Sequence, residues 1–331
     1  MPADTGPRGS AVRRAVRDEL SDLAPDALVL VACSGGADSL SLAHATRAVR
    51  DRAGAVVIDH GLQTGSAEVA ARTAAWLRDA GLDPVEVVQV TVVEAGDGPE
   101  AAARDARYRA LFCAARDAGA EVVLLGHTLD DQAESVLLGL ARGSGTRSLA
   151  GMPRSRGPFR RPLLHLRRSV VRAEVPEGAP VVDDPHNDDD RFARVRVRHR
   201  VLPVLEAELG PGIAEALART ADLARADADA LAELADEVAW DVIHGARDEG
   251  TLDVVDLEPL SDAVRSRVVR QWLLDGGCPA GRLGADHVQR VCRLVTHWTG
   301  QGAVALPGGV EAVRDYGRLA LRQTPLPRKE T

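Results

Sequence analysis

Short apolar runs alternate with amphipathic stretches along the first 142 residues of the chain. Four short, mainly apolar runs are predicted as strands: 27–32, 55–58, 85–93 and 121–125, of which the first is unbroken. Apolar residues recur with a helical period in the stretches that follow these runs: 40–49, 68–80, 99–119 and 129–142. This alternation predicts an α/β fold with a doubly wound, mostly parallel sheet, in which ligands bind beyond the carboxyl ends of the strands.

The pattern changes after residue 142. Residues 143–187 are rich in Arg, Gly and Pro without a regular period, and 191–209 has the pattern of a basic helix. Beyond them, the pattern predicts one long helix, two shorter helices and a hairpin: 211–243, 261–274, 285–298, and strands 304–306 and 311–321. We therefore expect an N-terminal helix or tail over 1–25, an α/β domain over 26–200, and a mainly helical accessory domain over 201–331 that ends in the hairpin.

The composition narrows the class of protein. With 331 residues, 45% of them hydrophobic, and a mean hydropathy of -0.11, the chain is typical of a globular protein with a buried core. No apolar run approaches the roughly 20 residues of a membrane helix, and the N-terminus lacks the apolar stretch of an export signal. We therefore expect a cytoplasmic protein without membrane contact. The cysteines lack CxxC spacing, which argues against a zinc ribbon or a redox pair: Cys33, Cys113, Cys278 and Cys292.

The distribution of charge bears on both chemistry and partners. Lys329 is the one lysine, so a Walker-type phosphate loop and Schiff-base chemistry are excluded. The net charge of -8 argues against a general nucleic-acid binder. The charge is uneven, however: residues 1–141 carry -8, 142–200 carry +7 and 201–331 carry -7. The basic segment 142–200 suits an RNA contact zone beside an active site.

A glycine-rich loop follows the first predicted strand directly and precedes a helix. It consists of Ser34, Gly35, Gly36, Ala37, Asp38 and Ser39. Adjacent glycines let the backbone approach a phosphate closely, and the helix N-terminus favours an anion. Asp38 would repel that phosphate unless a cation lay between them, so its expected role is that of a Mg²⁺ ligand. The alternative is a glycine-rich turn in which Ser and Asp cap the helix.

Acidic residues cluster where the fourth predicted strand ends. His127, Asp130, Asp131 and Glu134 share one face at the start of a helix. Three carboxylates on one face repel one another unless a cation, either a metal or an ammonium, lies among them. A solvated acidic first turn, favoured by the helix dipole, is the alternative.

Seven ordered motifs together resemble the tRNA(Ile)-lysidine synthetase family of PP-loop ATP pyrophosphatases. The resemblance rests on SGGADS at 34–39, IDHGL at 58–62, EAAARDARY at 100–108, GHTLDDQAE at 126–134, RGSG at 142–145, RPLL at 161–164, and DPHN followed by RFARVR at 184–196. It covers residues 34 to about 200 firmly. The C-terminal third matches the family only in general pattern.

This resemblance implies a reaction and a site. ATP with Mg²⁺ adenylates the wobble cytidine of the CAU anticodon of tRNA(Ile), and free L-lysine then displaces AMP to give lysidine. The loop and His60 would bind ATP, Asp38 and Asp130 would lie near Mg²⁺, and Arg107 would hold phosphates. Asp131 and Glu134 would bind lysine, with Asp131 the candidate base. For Arg107 a surface ion pair on its helix is the alternative, and for His60 and His127 a structural hydrogen bond.

Further expectations concern the partners. We expect six arginines to contact tRNA phosphates: Arg160, Arg161, Arg194, Arg196, Arg198 and Arg200. The family usually has Asn where this chain has Val195, and 166–183 is short, which affects the anticodon contacts. A homodimer is also an expectation. Alternative functions are a PP-loop tRNA thiolase, an ammonia-using synthetase, or a nucleotide-binding regulator without catalysis.

Overall fold

A computed structural model describes residues 10–59, 61, 65–90, 99–143, 146–182, 189–244 and 250–323. The chain divides into two compact units, Met1–Arg225 and Ala226–Thr331. None of the helices in these ranges is long and apolar enough to cross a membrane.

The first unit contains a six-stranded sheet in the order β3-β2-β1-β4-β6-β5. Its strands are β1 (Val29–Cys33), β2 (Ala53–Asp59), β3 (Val85–Gln89), β4 (Val122–Leu125), β5 (Ser155–Arg156) and β6 (Phe159–Arg160). All pairs are parallel except β5 with β6. The expected mostly parallel sheet is confirmed. The strand order reverses between β1 and β4, which is where such sheets bind ligands.

The helices of the first unit cover the sheet. They are α1 (Ala11–Glu19), α2 (Ala37–Val49), α3 (Ser66–Asp79), α4 (Pro99–Ala118), α5 (Leu129–Ala141), α6 (Thr146–Leu149), α7 (Arg168–Ala173), α8 (Ala193–Arg196) and α9 (Leu202–Leu209). One core cluster joins Val31, Leu40 and Leu77, and another joins Leu30, Leu111 and Val123. Successive residues of β1 thus enter different clusters, which explains its unbroken apolar run.

A basic helix expected over 191–209 is present as one helical run over 193–209, which contains a π-helical turn. This turn, Val197–Val201, separates α8 from α9. Pro203 follows this turn and has no N–H to continue the helical hydrogen bonds. Such turns are frequent at functional sites, and this one carries Arg198.

The second unit has its own core. The long helix α10 (Ile213–His244) begins in the first unit and ends in the second, whose remaining elements are β7 (Leu252–Asp253), α11 (Val254–Leu257), α12 (Asp262–Asp275), α13 (Ala285–Thr296), β8 (Val304–Leu306), β9 (Val310–Asp315) and β10 (Arg318–Gln323). The predicted hairpin is instead a four-stranded antiparallel sheet in the order β7-β10-β9-β8. Tyr316 and Gly317, both with positive φ, form a second turn that divides the expected strand 311–321.

Candidate active site

The glycine-rich loop lies at the carboxyl end of β1, and its last three residues form the first turn of α2. Ser39 Oγ donates to the Gly36 carbonyl at 2.8 Å and accepts from Ser34 N at 3.2 Å. Gly35 has a φ of +82°, and a Cβ there would lie 2.8 Å from Thr73 Oγ1. The hydroxyl group of Ser39 thus fixes the backbone of the loop, and the close packing at Gly35 leaves no room for a side chain.

Helix α5 starts directly across from the loop because β4 is the neighbour of β1. At Gly126, which ends the strand, a Cβ would lie 3.4 Å from the carbonyl oxygen of Asp38. Thr128 and Asp131 form a capping box, in which Asp131 Oδ2 accepts from Thr128 N and Oγ1, each at 2.8 Å. The close approach of the two elements brings Asp38 and the acidic face of α5 together.

Two arginines lie among these carboxylates. Arg198 donates from Nε to Glu134 Oε1 at 2.7 Å and from Nη2 to Oε2 at 3.1 Å. Arg168 Nη2 donates to Asp131 Oδ1 at 2.7 Å and to Glu134 Oε1 at 3.3 Å. A cation among the carboxylates was expected as a metal or an ammonium. In the described part of the chain, guanidinium groups occupy that position.

Asp130 contacts the backbone of Arg168 and the side chain of Arg167. Its Oδ2 accepts the backbone N–H of Arg168 at 2.7 Å, and Arg167 Nη1 lies 3.5 Å from its Oδ1. Asp130 therefore fixes the start of α7 and with it the position from which the Arg168 side chain extends.

The electrostatics of the carboxylates follow from these partners. Burial raises the pKa of Asp131, but the charge of Arg168 and the hydrogen bonds from Thr128 outweigh it, so the pKa is lowered overall. Burial raises the pKa of Asp38, and the negative charge of Asp131 adds to this shift against the opposing arginines. The Asp131 carboxylate is thus stabilised as an anion by its partners, whereas a cation added beside Asp38 would stabilise the anionic form of that carboxyl group.

A second group of arginines surrounds Arg107 on α4. Burial lowers the pKa of Arg107, and the charges of Arg104, Arg161 and Arg194 lower it further. Arg161 Nη2 donates to the hydroxyl of Tyr108 at 3.0 Å. Clustered guanidinium groups of this kind favour an anion among them.

His127 lies between the acidic and the basic groups. Burial lowers the pKa of His127 to about 3, with Arg161 and Arg107 adding to the shift and Asp131 opposing it. Its Nδ1 is buried without a hydrogen-bond partner in the described residues. The imidazole is therefore neutral at physiological pH.

The arginines expected to bind tRNA fall into two groups. Arg160 pairs with Asp22 at 2.6 Å, while Arg161 is buried and donates to the Pro153 carbonyl at 2.8 Å. Arg194 donates to Ser135 Oγ at 3.1 Å, and Arg198 belongs to the carboxylate cluster. Arg196 and Arg200 are exposed. The structure thus turns part of the basic segment inward, toward the site.

Two features complete the comparison with the sequence. His60 lies outside the described residues. The pairing of Arg168 and Arg198 with the α5 carboxylates was missed, because both arginines lie in the basic segment 142–200 that was expected to contact RNA. The three uncompensated acids on α5 were the available signal, since they required a positive partner.

Comparisons with known proteins match most of the chain. Family models match residues 10–205, as a PP-loop domain, and 252–320, as a TilS substrate binding domain. The chain is 54% identical to the tRNA(Ile)-lysidine synthase of Thermobifida fusca (strain YX), over 95% of this chain and 97% of that one. It is also 54% identical to the tRNA(Ile)-lysidine synthase of Streptomyces coelicolor, over 89% of this chain and 85% of that one.

A solved structure is similar in fold. The U34-tRNA thiolase NcsA from Methanococcus maripaludis, with its [4Fe-4S] cluster, matches with a TM-score of 0.51 and 18% identity over 65% of this chain and 78% of that chain. At this identity the likeness concerns the fold alone. The two domain matches and the extensive identity to its relatives show that this chain belongs to the tRNA(Ile)-lysidine synthase family.

Proposed function

We propose that this protein is an ATP-dependent ligase that joins free L-lysine to the wobble cytidine of the CAU anticodon of a tRNA(Ile). The observation that carries the proposal is the meeting of the phosphate loop and the acidic face of α5 at the strand-order reversal, in a chain of this family. We further expect it to act in the cytoplasm, and we keep the homodimer as a prediction.

In the proposed reaction, oxygen O2 of the cytosine attacks the α phosphate of ATP, and pyrophosphate leaves. A neutral amine of lysine then attacks carbon 2 of the ring, and AMP leaves. The loop from Ser34 to Ser39 would hold the phosphates through backbone N–H groups. Arg107, with the arginines around it, would neutralise negative charge that develops on the phosphates.

The residues present fit Mg²⁺ at Asp38. Its Oδ1 is buried and has no hydrogen-bond partner within the described ranges, and carboxylate oxygen is the ligand that Mg²⁺ prefers. Asp130 is the second proposed ligand, although its Oδ2 accepts the Arg168 amide. The ion would supply positive charge to the triphosphate, and Asp38 would hold it at the first turn of α2.

Asp131 and Glu134 are the proposed partners of lysine. Asp131 is also our candidate base for the amine. Its lowered pKa favours binding of an ammonium over acceptance of a proton. The exposed arginines of the basic segment, Arg196 and Arg200, together with the other proposed tRNA ligands, would contact the RNA backbone.

The direct test is incubation of the protein with labelled lysine, ATP and a tRNA(Ile) transcript that carries the CAU anticodon. We expect label in this tRNA and none in an elongator methionine tRNA with the same anticodon. Absence of label from the tRNA(Ile) would overturn the proposal. tRNA-dependent exchange between ATP and pyrophosphate distinguishes an enzyme from a nucleotide-binding regulator.

Replacing Gly35 with alanine is expected to weaken ATP binding by about tenfold or more, about 1.4 kcal/mol. The new Cβ would lie 2.8 Å from Thr73 Oγ1 and 3.2 Å from Val182 Cγ2, at a φ of +82°. Gly119→Ala is the matched control, because Gly119 has a φ of +69° and no atom within 4 Å of its Cβ position. Titration with a non-hydrolysable ATP analogue measures the affinities. Equal affinities for the two variants would show that the loop does not hold the nucleotide.

A further inference from the structure

The carboxylates proposed to receive lysine already bind arginines. The Glu134 side chain has 0% exposure, and its two oxygens accept from Arg198 at 2.7 and 3.1 Å. Asp131 Oδ1 accepts from Arg168 at 2.7 Å and from Arg198 Nη2 at 3.3 Å. A lysine ammonium needs the same oxygens, because an ammonium binds as a donor of hydrogen bonds to carboxylates. A lysine ammonium would therefore compete with these guanidinium groups, and displacement of one of them would make room for it.

Arg168 is better placed to move than Arg198. Arg198 binds Glu134 through two nitrogens, in the two-point geometry that makes arginine pairs strong. Arg168 shares a single nitrogen, Nη2, between Asp131 and Glu134. Its backbone N–H is fixed by Asp130 at 2.7 Å, so the side chain can turn while the main chain stays in place.

Arg168 also reaches the phosphate loop. Its Nε lies 3.6 Å from Asp38 Oδ2, a distance of charge attraction rather than of a normal hydrogen bond. The Arg168 side chain has 14% exposure, so its charge is only partly screened by solvent. Phosphates bound at the loop would therefore compete with Asp131 and Glu134 for this guanidinium.

We propose that Arg168 is a positioning residue that couples the nucleotide subsite to the lysine subsite. Its guanidinium binds Asp131 and Glu134, which Arg198 also holds, and the phosphates of ATP draw Arg168 toward the loop. This movement opens the acceptor positions that Arg168 occupies on the two carboxylates to the lysine ammonium. The inference rests on the proposed function. It requires that ATP strengthen lysine binding and, by thermodynamic linkage, that lysine strengthen ATP binding by the same factor.

The test measures binding of labelled L-lysine to the full chain by equilibrium dialysis, with and without an ATP analogue that carries an α,β-methylene bridge, in the presence of Mg²⁺. For the unaltered protein we expect the analogue to lower the Kd for lysine by about tenfold or more, within the usual range of coupling between sites. The reciprocal titration should give the same factor. An unchanged Kd would overturn the inference and leave the proposed function intact. Absence of lysine binding in both conditions would instead contradict the assignment of lysine in the proposed function.

Variants assign the coupling to Arg168. Arg168→Gln should bind lysine more tightly than the unaltered protein without the analogue, and the analogue should change its Kd by less than about twofold. Arg168→Lys keeps a positive charge among the carboxylates and so protects the fold, but its single nitrogen cannot span Asp131 and the loop, so coupling should fall here too. Arg172→Gln is the control, because Arg172 lies on the same helix as Arg168, α7, and its Nε is also near Asp38, at 3.7 Å from Oδ1.

The ratio of the two lysine affinities separates coupling from general damage. A merely structural role for Arg168 would weaken lysine binding equally with and without the analogue, leaving the ratio unchanged. A full coupling factor in both Arg168 variants would therefore overturn the inference, as would loss of the factor in Arg172→Gln alone.

Discussion

The Glu134→Leu variant is expected to lose about 3–5 kcal/mol of the free energy of unfolding. Glu134 is fully buried and binds Arg198 and Arg168, whose side chains have 21% and 14% exposure. Leucine has nearly the same volume but offers no acceptor, so two guanidinium groups lose an anionic partner in a partly buried place. Urea denaturation followed by circular dichroism measures the effect.

Glu215→Leu provides the matched control for this substitution. Glu215 Oε1 lies 3.5 Å from Arg167 Nε, but both side chains are well exposed, at 38% and 36%. Exposed pairs contribute little, so its loss should cost less than about 1 kcal/mol. If Glu134→Leu proved as mild as Glu215→Leu, the cluster would not depend on its buried carboxylate, and the arginines would have other means of compensation.

The candidate site could be predicted from the sequence only in part. The apolar runs and helical periods were enough to predict the sheet, and the motif positions at the ends of β1 and β4 placed the loop beside α5. The three acids on α5 also predicted that a cation would lie among them. These conclusions depend on local pattern and on the rule that adjacent parallel strands end at the same edge.

The identity of that cation could not be predicted in the same way. Arg168 and Arg198 lie 34 and 64 residues from Glu134 in sequence, the first in a segment without a regular period and the second in the predicted basic helix. Whether such an arginine faces solvent or the interior depends on the path of the chain over 161–200, including the π-helical turn ahead of Pro203. A net positive segment therefore predicts a basic surface, and only the tertiary structure shows which of its charges are already paired.

The Asp131→Asn variant is expected to lower the rate of lysine incorporation by about 10²–10⁴-fold. Asparagine keeps the size of the side chain but removes the negative charge that Arg168 and Thr128 stabilise. tRNA-dependent exchange between ATP and pyrophosphate should persist, because this exchange requires only the adenylation step. Exchange lost as fully as incorporation would instead place Asp131 in adenylation, and incorporation at the unaltered rate would remove it from the mechanism.

Asp38→Asn is expected to give the contrasting result, with exchange and incorporation lost together. Asp38 lies in the phosphate loop, and its buried Oδ1 is the proposed Mg²⁺ ligand. Asp79→Asn, on the exposed end of α3, controls for loss of one carboxylate in the same unit and should retain both activities. Asp38 and Asp131 share Arg168 as a neighbour. A separation of the two steps between these variants would therefore show that one cluster of charges serves two chemical roles. Asp38, which follows β1, would serve adenylation, and Asp131, which follows β4, would serve lysine incorporation.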